Sequence, residues 1–191
     1  MADLIFPTQS DNSDDDALDD GAGLITTPMS SEEGIPFDLI ELLFFAYRDF
    51  TRDPDEILQE FEFGRAHHRV LHFVNRNPGI RVADLLDILQ ITKQSLGRVL
   101  KQLVDKGYII QKQGPTDRRQ RLLYPTEEGR SLALALLRPQ SERIAKALLD
   151  ASPGERQVIE RFLMSMINGE QQGDVRSFVK TGQPVSEIET K

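Results

Sequence analysis

The side chains best suited to chemistry lie on residues 92–106, where apolar residues recur with the period of a helix. The apolar positions form one stripe: Leu96, Val99, Leu100, Leu103 and Val104. The opposite side carries Gln94, Arg98, Lys101 and Asp105, flanked by Ser95 and Gln102. Arginine can hold a guanine edge with two hydrogen bonds, glutamine can pair with adenine, and serine can contact base edges or phosphates. The pattern predicts a helix that packs with one side and can contact nucleic acid with the other.

The start of this helix offers a second kind of contact. Thr92 is a favoured N-cap residue, and a capped helix start directs backbone N–H groups towards an anion such as phosphate. Lys93 adds a cation beside it. An ordinary solvated helix surface would show the same amphipathic pattern, so this helix alone leaves both interpretations open.

A predicted β-hairpin with a basic tip follows the helix and favours the nucleic-acid interpretation. Residues 108–113 and 120–124 resemble strands around a turn at 114–119. Three arginines lie close together at the tip: Arg118, Arg119 and Arg121. A guanidinium is attracted by the strong negative potential of a narrow minor groove. We expect Asp117 to accept a hydrogen bond from Arg119 and orient it; the alternative is a solvated turn with a local ion pair.

Further predicted elements surround this helix and hairpin. Apolar spacing predicts helices over 65–75 and 82–89, the first ended by Asn77-Pro78-Gly79. Residues 81–125 then read as a short helix, a tight turn at Gln90-Ile91, a second helix and a hairpin, which is the order of a winged helix-turn-helix.

The flanking segments predict further helices. Residues 37–50 are apolar on nearly every face, so a helix there must be buried. Asp53-Pro54 is an N-terminal signal that predicts a separate short helix to Phe61. Thr126 is expected to cap a long helix that Pro139 kinks rather than ends. A capping box at 152–155 opens a last helix that runs to about residue 167.

Charge is distributed unevenly along the 191 residues. The net charge of −8 would argue against a polyanionic partner. Residues 1–33, however, hold nine acidic residues and no Lys or Arg, which predicts a disordered acidic tail. Residues 64–130 hold thirteen Lys or Arg against six Asp or Glu. A basic segment therefore follows an acidic tail.

The sequence also disfavours several classes of protein and site. The chain has no cysteine, which excludes disulfides and thiolate zinc sites. It has no apolar run of membrane-spanning length and no basic signal segment, so we expect a soluble, cytoplasmic protein. A nucleophile elbow, a phosphate loop and a metal-hydrolase motif are all missing, so an enzyme is disfavoured and neither catalytic residues nor a cofactor are predicted.

The segment 94–109, followed by Asp117-Arg118-Arg119 and by Thr126-Glu127-Glu128-Gly129, resembles the MarR family pattern of recognition helix, Asp-x-Arg wing and following helix. The resemblance covers roughly residues 36–170 and implies a mainly α fold with a small β-hairpin wing (α+β). It divides the chain into an acidic tail (1–33), an N-terminal dimerisation helix with a short linker helix (34–62), a winged helix-turn-helix domain (63–126), C-terminal dimerisation helices (127–170) and a flexible tail (171–191).

The resemblance implies a homodimeric regulator that binds pseudo-palindromic double-stranded DNA under the control of a small effector. Repression relieved by the effector is the default expectation, although activators share this architecture. Arg119 would then enter the minor groove with Asp117 as its orienting partner, and the major-groove readers would be Gln94, Ser95 and Arg98. The effector would be a small, typically anionic aromatic molecule. The residues it would touch are Tyr47, Arg48 and His67.

Two alternatives stay open from the sequence. His68 and His72 are four residues apart on one predicted helix, as in some metal sites, although a structural or ligand-pocket role is favoured and no metal is predicted. A winged helix can also serve as a protein-interaction module without DNA binding.

Gln90 stands where the family often has glycine in the turn between the two helices of the helix-turn-helix, which bears on the geometry between them.

Overall fold

The computed structural model describes residues 34–181, so the predicted tail at 1–33 and residues 182–191 lie outside the described part. The described residues from Leu39 onwards belong to one compact unit. The described elements, in chain order, are α1 (Phe37–Gln59), α2 (Arg65–Arg76), β1 (Ile80–Arg81), α3 (Val82–Leu89), α4 (Lys93–Asp105), β2 (Ile109–Gln113), β3 (Arg121–Pro125), α5 (Glu127–Ala147), α6 (Pro153–Ser165) and α7 (Gly169–Thr181). The predicted fold class, mainly α with a small β wing, is confirmed.

The sheet is antiparallel, with strand order β1-β3-β2. β2 and β3 form the predicted hairpin, in which Ile109 pairs with Pro125 and Gln113 with Arg121. β1 was not predicted, because two residues are too few to show an alternating pattern. It forms where Ile80 pairs with Leu123 on the free edge of β3.

The core lies between the apolar sides of α2, α3, α4 and α5 and the inner side of the sheet. Its fully buried side chains include Leu58, Val70, Leu71, Val74, Leu85, Leu103, Leu123 and Leu136. The apolar stripe of α4 packs here as predicted, with Leu96, Val99, Leu100 and Leu103 buried and Val104 partly buried. The polar side of α4 is therefore held outward by the packing of the other side.

α1 is one continuous helix, so the predicted division between a helix over 37–50 and a short helix from Asp53 is wrong. Pro54 lies inside α1 and is buried. Proline has no N–H to donate to the carbonyl four residues earlier, here that of Phe50. Gln140 of α5 donates its Nε2–H to that oxygen at 3.3 Å. A buried side chain from α5 thus replaces the hydrogen bond that Pro54 removes.

The predicted N-caps of α5 and α6 are confirmed. Thr126 accepts a hydrogen bond from the N–H of Gly129, and α5 continues through Pro139 to Ala147. Ser152 and Glu155 form the expected reciprocal capping box at the start of α6. None of the helices in residues 34–181 combines the length and apolar composition needed to cross a membrane.

The C-terminal part corrects a second prediction. Residues 171–181, expected to belong to a flexible tail, lie in α7. The reason is a long-range contact, because the ring of Phe178 packs against the ring of Phe73 on α2 with centroids 5.6 Å apart. Residues 182–191 of that predicted tail lie outside the described residues.

Candidate nucleic-acid interface

Thr92 organises the start of α4. Its side-chain oxygen accepts a hydrogen bond from the N–H of Ser95 at 3.2 Å, which confirms the predicted N-cap. The same hydroxyl donates to Oγ of Ser95 at 2.9 Å. Ser95 is therefore fixed in the first turn, and its side chain remains exposed. Lys93 is exposed beside this pair.

The turn between α3 and α4 adopts a left-handed backbone conformation at Gln90, with φ 50° and ψ 45°. This conformation favours glycine, which explains why glycine suits the position. Here the Gln90 side chain donates its Nε2–H to the carbonyl of Asp87 at 2.6 Å. The turn thus keeps a helix C-cap geometry without glycine.

The outward face of α4 carries the predicted reading residues. Gln94, Arg98 and Lys101 are all exposed. Lys101 forms an ion pair with Asp105 one turn further along the helix. Among the described residues no acidic side chain pairs with Arg98, and its side chain is exposed.

Gln102, on the flank of α4, forms a hydrogen bond within the protein, to a residue of α2. Its Oε1 lies 2.5 Å from Nε2 of His67 on α2. Nδ1 of His67 accepts a hydrogen bond from the N–H of Gly64 at 3.1 Å, so the ring proton sits on Nε2 and is donated to Gln102. The imidazole also stacks on Phe63 with centroids 4.5 Å apart. His67, 9% exposed, thus links α2 to α4.

The hairpin tip is ordered by backbone hydrogen bonds. The N–H of Gly114 donates to the carbonyl of Gln120 at 3.1 Å, and the N–H of Gln120 donates to that of Asp117 at 3.1 Å. Oδ1 of Asp117 accepts from the backbone N–H of Arg119 at 2.9 Å. The expected bond between these two residues therefore exists, but its donor is the backbone rather than the guanidinium. Asp117 fixes the path of the tip, and the exposed arginines extend from it.

The predicted effector residues lie in different surroundings. Tyr47 is exposed on α1, with the guanidinium of Arg65 5.7 Å from the centre of its ring. Arg48 donates to its neighbour Asp49 at 2.9 Å. His67 uses both ring nitrogens within the chain, as described above. Their role in effector binding stays a prediction.

A cleft of about 600 Å³ lies between the end of α1 and the start of α5. It is lined by four apolar residues (Ile57, Phe61, Leu132, Ala135) and four polar residues (Glu60, Glu127, Glu128, Ser131). None of the three predicted effector residues lines it. Local sequence patterns do not reveal this cleft, because its two walls are far apart along the chain.

The histidine pair on α2 shows no metal-site geometry. His68 and His72 are half-buried, and burial lowers the pKa of both below 6.5, with the charge of Arg76 further lowering that of His72. In residues 34–181 no group of three or more His, Asp or Glu side chains is arranged to hold a metal ion.

The sequence is similar to those of known transcriptional regulators. Residues 62–120 match the MarR family. The HTH-type transcriptional regulator PetP of Rhodobacter capsulatus is 47% identical over 128 residues, which cover 65% of this chain and 77% of PetP.

Solved structures show the same likeness. A SlyA-like transcription regulator from Listeria monocytogenes is 26% identical, with a TM-score of 0.58 over 80% of this chain and 97% of that one. A MarR family regulator from Listeria monocytogenes, solved in complex with a 26mer DNA, is also 26% identical, with a TM-score of 0.59 over 76% of this chain and 95% of that one. These relatives are transcriptional regulators rather than enzymes. The described fold, the match over residues 62–120 and the identity with PetP show that the chain belongs to the MarR family of winged helix transcriptional regulators.

Proposed function

We propose that the protein binds double-stranded DNA as a homodimer on a pseudo-palindromic site and represses transcription in the cytoplasm until a small molecule lowers its affinity for DNA. In each protomer α4 enters the major groove and the β2–β3 hairpin reaches the adjacent minor groove. The observation that carries this proposal is the set of exposed cations on α4 and the hairpin.

These cations have no ion-pair partner among the described residues. Within residues 34–181 none of the following forms an ion pair: Lys93, Arg98, Arg118, Arg119 and Arg121. Elsewhere the same residue type is neutralised, since Arg65 pairs with Asp55 and Arg143 with Asp53. Binding to DNA depends on neutralising phosphates with Lys and Arg. A surface of unpaired cations on two neighbouring elements fits that partner.

The positions of these side chains suit different contacts with DNA. Arg98 and Gln94 extend from the outward face of α4 to base edges, with the exposed Ser95 hydroxyl beside them. Thr92 and Lys93 lie where a phosphate would meet the helix start. Arg119 would enter the minor groove from a tip that Asp117 holds in place, with Arg118, Arg121 and Lys101 contacting phosphates.

Homodimerisation is supported by apolar side chains that the single chain leaves exposed. On α1 they are Leu39, Ile40, Leu42, Leu43, Phe44, Phe45 and Tyr47. On α6 they are Val158, Ile159, Phe162 and Leu163. Phe44 is 68% exposed, although the sequence predicts burial of this stretch. Exposed apolar surface on this scale marks an interface, and a second copy of the chain would cover it.

The cleft between α1 and α5 is the place where we expect the effector to act. α1 carries the proposed dimer surface, and α5 begins directly after the hairpin, so a ligand between them would favour one spacing of the two DNA-binding surfaces. Glu60, Glu127 and Glu128 repel negative charge. A neutral or cationic molecule therefore fits this cleft better than the anionic aromatic effector implied by the family resemblance.

The DNA-binding proposal is tested by the affinity for a fluorescent duplex of the upstream region of its own gene, measured at two salt concentrations. Replacing Arg119 by Ala should weaken binding substantially and flatten the salt dependence. Replacing Arg98 by Ala should cost roughly 1–3 kcal/mol and relax the preference at one base pair in each half-site.

Arg138→Ala is the matched control, because Arg138 is also exposed but lies on α5. Its affinity should equal that of the wild type. If the wild type binds no duplex even at low salt, the proposal is wrong, and the protein-interaction module becomes the better account.

A further inference from the structure

Gly97 lies in the middle of α4, at an exposed position. Glycine inside a helix destabilises it by roughly 0.5–1 kcal/mol relative to alanine, because it loses more conformational freedom on folding. A glycine at this place therefore calls for a physical reason.

The fold itself supplies no such reason. The described glycines with positive φ are Gly34, Gly79 and Gly107, so the backbone at Gly97 is open to other residues. A Cβ added at Gly97 would meet nothing within 4 Å. At Gly129, by contrast, an added Cβ would lie 2.0 Å from the carbonyl oxygen of Tyr108. Gly129 is required by the protein's own packing, and Gly97 is not.

The position of Gly97 on the helix indicates what could require it. It lies three residues after Gln94 and four before Lys101, so the three share one side of α4. That side is the one proposed above to enter the major groove. Glycine is used where another molecule must approach the backbone closely. We infer that the backbone of α4 comes into van der Waals contact with DNA at Gly97, which makes Gly97 a positioning residue for DNA recognition.

This inference rests on the proposed DNA binding and adds a steric condition. α4 must approach the groove so closely that residue 97 has no room for a side chain. A side chain at residue 97 would hold α4 away from the groove, and the hydrogen bonds of Gln94 and Arg98 to bases would lengthen together. The loss should grow with the size of the side chain, because the displacement grows with it.

The test compares Gly97→Ala and Gly97→Leu with the wild type in two measurements. Alanine and leucine both favour helix more than glycine does, so both variants should resist urea better. Their DNA affinity should nevertheless fall, by about tenfold for alanine and further for leucine, as the disruption of one or more base contacts would produce. A variant that is more stable and binds more weakly cannot owe its loss to misfolding.

Gly173→Ala is the control, since Gly173 is exposed inside α7 and an added Cβ there also meets nothing within 4 Å. It should gain stability and keep wild-type affinity. Unchanged affinity in both Gly97 variants would overturn the inference, and so would equal losses for alanine and leucine, which would indicate helix stiffness instead. A wild type that binds no duplex would overturn the proposed function as well.

Discussion

The start of α5 packs closely against the turn between α4 and β2. The N–H of Thr126 donates to the carbonyl of Tyr108 at 3.2 Å, and its hydroxyl donates to that of Gly107 at 2.7 Å. These bonds hold the backbone so close that a Cβ on Gly129 would lie 2.0 Å from the Tyr108 oxygen.

We therefore expect Gly129→Ala to destabilise the protein by about 1–3 kcal/mol, as overpacking does. The measurement is the free energy of unfolding in urea. Gly154→Ala is the control, because the added Cβ there meets only the Ser152 hydroxyl at 4.0 Å. Equal stability of Gly129→Ala and the wild type would show that this junction is not tightly held.

His68 and His72 predict a dependence of stability on pH. Burial lowers the pKa of both in the folded state below the ordinary value of 6.5, and the charge of His72 further lowers that of His68. The unfolded chain therefore binds more protons between the lowered and the ordinary pKa. The stabilisation is complete above pH 6.5 and is lost as the pH falls through the lowered values.

The check is the urea midpoint at about pH 7.5 and about pH 5.5, placed on either side of the ordinary histidine pKa. The wild type should lose more stability between them than a variant with both His68→Gln and His72→Gln. Parallel losses in the two proteins would assign the acid sensitivity to other groups.

Individual side chains were predictable where the local backbone determines their bonds. The cap by Thr92 follows from residue type and place alone. The Asp117 bond to Arg119 was expected, but its donor depends on the turn geometry, which the sequence does not specify. The sequence places Gln102 on the flank of the polar face of α4, and only the tertiary fold shows its bond to His67.

At the scale of elements, Gln140 is what allows α1 to continue through Pro54. Replacing Gln140 by Leu should leave the Phe50 carbonyl without its donor and cost about 1–3 kcal/mol in the free energy of unfolding. Introducing Pro54→Ala in the same chain restores a backbone N–H for that oxygen. The cost of Gln140→Leu should therefore shrink in the Pro54→Ala background. Additive effects would contradict the exchange of donors.

Elements were predictable where caps and periodicity are local. α3, α4, the hairpin, α5 and α6 follow from such signals. The continuity of α1 does not, because it depends on a residue of α5. α7 depends on the contact between Phe178 and Phe73, and β1 depends on the edge of β3, so neither carries a strong signal of its own.

At the scale of the whole molecule, the exposed surface of α1 predicts that dimerisation and DNA binding fail together. Phe44→Glu places a charge on the most exposed apolar side chain of α1. Sedimentation should show a monomer, circular dichroism should show retained helix content, and DNA affinity should fall sharply because one DNA-binding surface is left per particle. Phe44→Leu should stay dimeric. A Phe44→Glu protein that remains dimeric would place the interface elsewhere.

The central claim is that two copies of one α4-and-hairpin surface bind DNA at a fixed separation. Hydroxyl-radical footprinting on the bound duplex measures this directly. We expect two protected patches related by a dyad, with centres about 10 base pairs, or one helical turn, apart. A single protected patch, or protection with no symmetry, would contradict the account.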